Sequence, residues 1–144
     1  MATSQTWLVF AILSAICAGL TAVFAKIGLE GIDSDYALLL RTLLIVCILV
    51  PLVAATGKWT NPLSLPHRTL IFLVLSAIAT GASWLFYFRA LQLGSVSQVA
   101  PVDKLSVAFA AVLAVIFLGE RPDARGWLGI SLVVLGVLVL GVRR

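Results

Sequence analysis

Charged residues are scarce in this sequence. Asp, Glu, Lys and Arg make up only 11% of its 144 residues, whereas hydrophobic residues make up 62%. Soluble globular domains carry roughly 25% charged residues. The composition therefore argues against an ordinary soluble domain, because water cannot be the main solvent of so apolar a chain.

Residues that commonly perform catalysis or bind metals are also few. The chain has one histidine, His67, and two cysteines, Cys17 and Cys47, which lie in separate apolar segments without zinc-site spacing. It contains no H-E-x-x-H, G-x-x-x-x-G-K-[ST] or G-x-S-x-G sequence. We therefore expect no catalytic residues, metal ion or cofactor, and no enzyme activity.

A basic face of the kind that binds nucleic acid is also lacking. The net charge is +4, but the ten Lys and Arg residues are scattered between the apolar segments. Nucleic-acid-binding proteins cluster such residues on one surface. We expect no nucleic-acid partner.

What the sequence has instead is five apolar segments, each close to the ~20 residues that cross a bilayer as a helix. They are too long and too uniformly apolar for the alternating strands of a membrane β-barrel, which leaves helices. We therefore predict an all-α, multi-pass protein of the cell inner membrane, with a single domain over residues 1–144 embedded in the lipid bilayer. The predicted helices are 7–27, 36–55, 70–93, 99–118 and 126–142.

Pro101 lies close to the predicted start of the fourth helix. If Ser97 is the N-cap, the proline falls in the first turn, where its missing N–H has no intrahelical partner. This placement predicts a clean helix start rather than a kink.

The distribution of Lys and Arg does not predict which way the helices are oriented in the membrane. With the N-terminus in the cytoplasm, one side holds Lys58, Arg68, Arg121 and Arg125, and the other holds Lys26, Arg41, Arg89, Arg143 and Arg144. Two explanations remain open: another feature fixes the topology, or the chain inserts both ways and pairs as an antiparallel dimer.

Ionisable residues inside the predicted helices are the first candidates for function, because burying charge in a membrane is costly. Lys26, Arg41, Arg89, Asp103 and Lys104 all lie toward one membrane face, where the basic ones could also snorkel outward. Asp103 snorkels poorly, and its expected partners are Lys26, Arg41 or Lys104. A structural ion pair and a substrate or proton site are equally open for it.

A polar and aromatic stripe follows the third helix. Thr80, Ser83, Trp84 and Tyr87 recur at helical spacing and share one face, whereas Arg89 points nearly opposite. The stripe is either an interfacial aromatic belt with interhelical hydrogen bonds or the wall of a translocation cavity. Ser106 shares a face with Asp103 in the fourth helix.

Several short sequences give the chain a family resemblance. They are F-A-K-I-G-L, D-S-D-Y-A-L-L-L-R-T, Y-F-R-A-L-Q-L-G, P-V-D-K-L-S and F-L-G-E-R-P. In this order they resemble a single EamA repeat of the drug/metabolite transporter superfamily, over about residues 7–142. Arg41, the Arg89 region, Pro101 and Glu120 match motif positions, and Glu120 is expected to be structural, capping the fourth helix or pairing with Arg121 or Arg125.

The resemblance implies an incomplete transporter. Larger relatives carry two five-helix repeats of inverted topology around a central cavity, and this chain has one. We therefore predict a permease or exporter of small metabolites or drugs that works by alternating access as an antiparallel homodimer, or with a homologous half.

The predicted substrate-binding or pore-lining residues include more bases than acids, which favours an anionic or zwitterionic substrate. The alternative is a non-transporting interaction or regulatory subunit of another membrane complex. The candidate residues are Lys26, Arg41, Thr80, Ser83, Trp84, Tyr87, Asp103, Lys104 and Ser106.

Overall fold

The structure, a computed structural model, describes residues 5–141 and is all-helical there. Five helices are long and apolar enough to cross a membrane. The observed bounds lie within about one helical turn of the predicted ones, except that Val142, the predicted end of the last helix, lies outside the described residues. The helices are α1 (Thr6–Gly28), α2 (Ser34–Ala55), α3 (His67–Leu93), α4 (Val96–Leu118) and α5 (Ala124–Gly141).

The chain forms two compact units. The first combines Met1–Phe24 with Leu93–Arg144, and in its described part α4 packs against α5. The second is Ala25–Gln92, which contains the last turn of α1 together with α2 and α3. A single domain over residues 1–144 stays a prediction.

Local capping sets both ends of α2. The Asp33 carboxylate accepts hydrogen bonds from the backbone N–H groups of Asp35 and Tyr36, at 2.9 and 3.2 Å. This N-cap explains why α2 begins at Ser34, earlier than predicted. At the other end Gly57 adopts φ 65°, and the N–H of Lys58 donates to the carbonyl of Val53. This is a Schellman C-cap, which needs a residue that tolerates positive φ.

The prediction of a clean start for α4 was wrong. Ser95, not Ser97, is the N-cap, so Pro101 lies inside the helix. There it cannot donate to the carbonyl of Ser97, and its ring crowds that carbonyl. The helix breaks after Asp103, where the N–H of Lys104 donates to Pro101, three residues back, and α-helix resumes at Ser106. A π-helical segment, Ala114–Leu118, ends α4.

Most large apolar side chains are exposed on the single chain. Within each membrane-spanning helix, at most 6% of the most apolar window is buried. The apolar surface is therefore available to lipid chains or to another protein chain. Among residues 5–141, the buried hydrophobic residues are Ala22, Leu29, Leu38, Phe88, Leu91 and Val137.

Candidate functional site

A cation–π contact joins α2 to α3 in the second unit. The Cζ atom of Arg41 lies 3.8 Å from the centroid of the Trp84 ring and 5.6 Å from that of Phe88. Arg41 and Trp84 are both partly buried, whereas Phe88 is buried. Aromatic faces attract a guanidinium through the ring quadrupole, and the attraction grows when water is excluded. The contact therefore holds a positive charge within a membrane-spanning helix.

A groove of about 380 Å³ lies between α2 and α3 within the same unit. Three hydroxyl groups and the Trp84 ring interrupt its apolar walls, and small residues on α3 leave the space open. The Thr42 hydroxyl donates to the carbonyl of Leu38 at 2.8 Å, which leaves its oxygen able to accept a hydrogen bond. The lining residues are Leu38, Thr42, Leu73, Ser76, Ala77, Thr80, Gly81 and Trp84.

Only part of the predicted stripe on α3 lines this groove. Thr80 and Trp84 line it, whereas Arg41 of α2, Ser83 and Tyr87 are not among its lining residues. The sequence pattern missed Thr42 and Ser76, although Thr42 follows Arg41 directly and Ser76 precedes Thr80 by one helical turn. These two positions in the sequence could have indicated that both residues line the groove.

Lys26 contacts the end of α3. Its Nζ atom donates to the carbonyl of Leu91 at 2.6 Å. Carbonyls in the last turn of a helix lack intrahelical partners, and a cation there also complements the helix dipole. This contact gives Lys26 a structural role, and a role in substrate binding stays a prediction.

Arg89 pairs with an acid that the sequence reading did not single out. Its Nε and Nη2 atoms donate to the two carboxylate oxygens of Asp35, at 3.0 and 2.6 Å. Next to this pair along α3, Gln92 donates to the carbonyl of Ile32 at 3.1 Å. Together with Lys26, these contacts tie the connection between α1 and α2 to the end of α3. Arg89 thus contacts another helix, α2, through Asp35.

The other three candidates belong to the first unit. Asp103 and Lys104 form an ion pair at 3.3 Å, so the structure pairs Asp103 with its chain neighbour among the three expected partners. Both lie at the break in α4, and Ser106 begins the helical segment that follows. Their part in a substrate site stays a prediction.

Glu120 follows the end of α4, as the motif suggested. Its backbone N–H donates to the carbonyl of Ala114 at 3.3 Å, the same carbonyl that accepts from the N–H of Gly119 at the end of the π-helical segment. In the described part of the chain, its carboxylate forms neither of the expected salt bridges, with Arg121 or Arg125. The structural contribution of this residue therefore comes from its backbone.

Residues 5–141 contain no group of three or more His, Cys, Asp or Glu residues that could hold a metal ion. The groove itself offers hydroxyl groups and an indole ring, which suit a small organic molecule better than a metal.

Sequence comparison connects the chain to membrane transporters. The EamA-like transporter family matches residues 5–142. A Sinorhizobium protein named "Uncharacterized transporter in cobO 3'region" is 52% identical over 139 residues, which cover 96% of this chain and 99% of that protein. No solved structure matches the chain.

More distant relatives carry a more specific name. Proteins named "Probable 4-amino-4-deoxy-L-arabinose-phosphoundecaprenol flippase subunit ArnE" are 28% identical in Yersinia pseudotuberculosis and 29% identical in Hamiltonella defensa. The matches cover 74% and 75% of this chain, and 96% of each relative. These relatives therefore match over nearly their whole length.

Proposed function

The chain belongs to the EamA-like transporter family, and on this basis we propose that it is one half of a transporter for small metabolites or drugs. It is a membrane protein of a transporter family and not an enzyme. In the proposed mechanism, two five-helix chains enclose a cavity in the inner membrane and expose it to each side in turn. The second chain is another copy in the opposite orientation.

The contact between Arg41 and Trp84 carries this proposal. A guanidinium 3.8 Å from an indole ring lies beside a groove with three hydroxyl groups, in two membrane-spanning helices. Polar groups in such positions are costly unless they serve a structure or a ligand. An open groove beside them favours a ligand, and the groove volume falls within the roughly 300–1,000 Å³ of small-molecule sites.

The number of helices supports a second chain. An odd number of spans cannot supply an inverted repeat within one chain, but two oppositely inserted copies can. The even spread of Lys and Arg would permit both orientations. The matched Sinorhizobium transporter is also covered over 99% of its length, so it too corresponds to one repeat.

Transport by the purified chain tests the site. We expect vesicles that contain only this chain to accumulate at least one solute from a panel of labelled metabolites by counterflow. Arg41→Leu or Asp103→Asn should abolish accumulation without loss of expression or pairing. Arg68→Leu is the matched control, because Arg68 lies near Phe72 at 6.0 Å, in the first turn of α3 and away from the groove lining. Unchanged transport in both site variants would remove both residues from the site.

Cysteine labelling tests the opposite orientations. With Cys17 and Cys47 changed to Ser, a single cysteine introduced by Thr60→Cys lies in the connection between α2 and α3. Two-way insertion predicts that about half of the chains react with an impermeant maleimide from each side of the membrane. Labelling from one side only would contradict the antiparallel pair.

A second candidate is a subunit of a heteromeric complex. The ArnE relatives are named as flippase subunits, and the chain matches them over 96% of their length. In this alternative the chain lacks transport activity alone and has a fixed orientation. One-sided labelling together with vesicles that accumulate no solute would favour it over the homodimer.

A further inference from the structure

We propose that the groove beside Arg41 selects molecules that carry a single anionic group on a small apolar body. This inference rests on the proposed function, because it names the substrate class of the same site. The observations that carry it are the unneutralised guanidinium, a lining without carboxylates, and the size of the groove.

Arg41 keeps its positive charge available. Among residues 5–141 the salt bridges join Arg89 to Asp35 and Lys104 to Asp103, so neither neutralises Arg41. The Trp84 ring stabilises the guanidinium without cancelling its charge. A guanidinium stacked on a ring still presents its in-plane N–H donors, which match carboxylate, sulfonate and phosphate oxygens in geometry.

The lining of the groove discriminates against cations. Its polar side chains are the hydroxyls of Thr42, Ser76 and Thr80 and the Trp84 indole, with no carboxylate. A cation in the groove would be repelled by Arg41, with no carboxylate among the lining residues to offset the repulsion, which is strong where water is scarce. An anion would instead gain a charge-assisted hydrogen bond.

The groove suits a ligand with one negative charge better than a ligand with two. The other basic residue predicted for the site in this unit, Lys26, donates to the Leu91 carbonyl at 2.6 Å and so supports the end of α3. Arg41 is then the one cation that the second unit offers beside the groove. A dianion would leave a negative charge uncompensated in the membrane, which costs free energy.

The rest of the groove accepts an apolar body of limited size. Leu38, Leu73, Ala77 and the Trp84 ring supply apolar surface within a volume of about 380 Å³. The ligand could be a free anionic metabolite or the head of an anionic lipid with the adjoining part of its chain. Both sources share the same chemistry, a monoanion attached to an apolar group.

Three probes of similar size test the charge preference. Benzenesulfonate is a monoanion at all pH values of interest, phenyltrimethylammonium is its cationic counterpart, and benzyl alcohol is neutral. We expect benzenesulfonate to raise the unfolding midpoint of the full chain in phosphatidylcholine nanodiscs, because a ligand stabilises the state that it binds. The cation and the alcohol should have little effect. A shift with the cation that equals or exceeds the shift with the anion would overturn the proposal without any variant being needed.

Emission from Trp84 provides a second readout at the site. In a chain with Trp7→Phe, Trp59→Phe and Trp127→Phe, Trp84 is the only remaining tryptophan. Benzenesulfonate should change its emission as Arg41 turns toward the anion. Arg41→Gln should weaken the apparent affinity at least about tenfold, the loss expected for a charge-assisted hydrogen bond, and Arg41→Lys should retain part of it. Arg68→Gln is the control and should bind normally, whereas full affinity in Arg41→Gln would contradict the proposal.

Nanodisc composition separates the two sources. If anionic phosphatidylglycerol suppresses the response to benzenesulfonate, the lipid head competes for Arg41 and is itself a ligand. If the response is the same in both lipids, the site prefers a free anion. Either result supports the anionic class. If instead the cation binds while vesicles still show transport, this inference fails and the proposed function stands.

Discussion

At the residue scale, the structure separates basic residues that hold the fold from one that stacks on a ring of the groove lining. Lys26 and Arg89 both lie near the end of α3, where they contact a helix carbonyl and Asp35 respectively. Arg41 instead contacts two aromatic rings beside the groove. Their predicted positions in the membrane gave no reason to assign these three residues different roles. Their contacts in the structure do.

The ion pair between Asp35 and Arg89 predicts a modest, coupled effect on stability. Both side chains are about half exposed, at 44% and 54%, so solvent screens much of their attraction. Asp35→Asn and Arg89→Gln should each lower the unfolding midpoint slightly, and the double variant should lose less than the sum. A double-mutant cycle by thermal unfolding in low and high salt measures this coupling. Additive losses that salt does not change would contradict the pair.

The candidate site could be predicted from the sequence only in part. Helical spacing identified Thr80 and Trp84 as one face of α3, and the structure lines the groove with both. Spacing cannot reveal which residues of α2 oppose that face, because the rotation and register of two packed helices depend on contacts across the interface. Asp35 was missed for the same reason, since its partner Arg89 lies 54 residues away.

At the scale of the element, the sequence predicted where helices form, but it did not predict where a helix is interrupted. Five apolar segments of membrane-spanning length predicted five helices, because only helices satisfy the backbone of such segments in lipid. The sequence did not show whether Ser95 or Ser97 caps α4. That choice decides whether Pro101 lies in the first turn or inside the helix. Pro51 lies inside α2, which nevertheless continues past it, so a proline alone does not locate a break.

Capping of α2 by Asp33 gives a prediction at this scale. Asp33→Ala removes the acceptor of two backbone N–H groups and should destabilise the protein by about 1 kcal/mol. Ser95→Ala is the comparison variant, because the Ser95 hydroxyl at the N-cap of α4 bonds the side chains of Ser97 and Gln98 but not the helix backbone. Equilibrium unfolding in mixed micelles compares the two variants. An equal loss in both would contradict a specific cap at Asp33.

Replacing Pro101 should stabilise the first turns of α4. Pro101→Ala restores a backbone N–H that can donate to the Ser97 carbonyl, and the interior of a helix prefers alanine to proline by about 3 kcal/mol. Amide hydrogen exchange over residues 98–102 should slow in this variant. Pro51→Ala is the control in another helix, and it should leave exchange at 98–102 unchanged. Exchange there as fast as in the parent would contradict a destabilising effect of Pro101.

At the scale of the whole molecule, the proposal rests on one groove and on a largely apolar surface. The groove is open between α2 and α3, and most large apolar side chains are exposed. Lipid can cover such surfaces, but an open half-site in a transporter requires walls that exclude water during transport. A second five-helix chain would provide them with the same residues in inverted orientation.

The mass of the complex in lipid shows whether two chains form the transporter. Native mass spectrometry of the protein extracted in nanodiscs, without detergent or cross-linker, counts the chains of 15.3 kDa in each particle. The proposed half-transporter predicts particles with two copies, and Arg41→Leu should leave that number unchanged. Particles that hold a single copy, in a preparation that still accumulates solute by counterflow, would contradict the account.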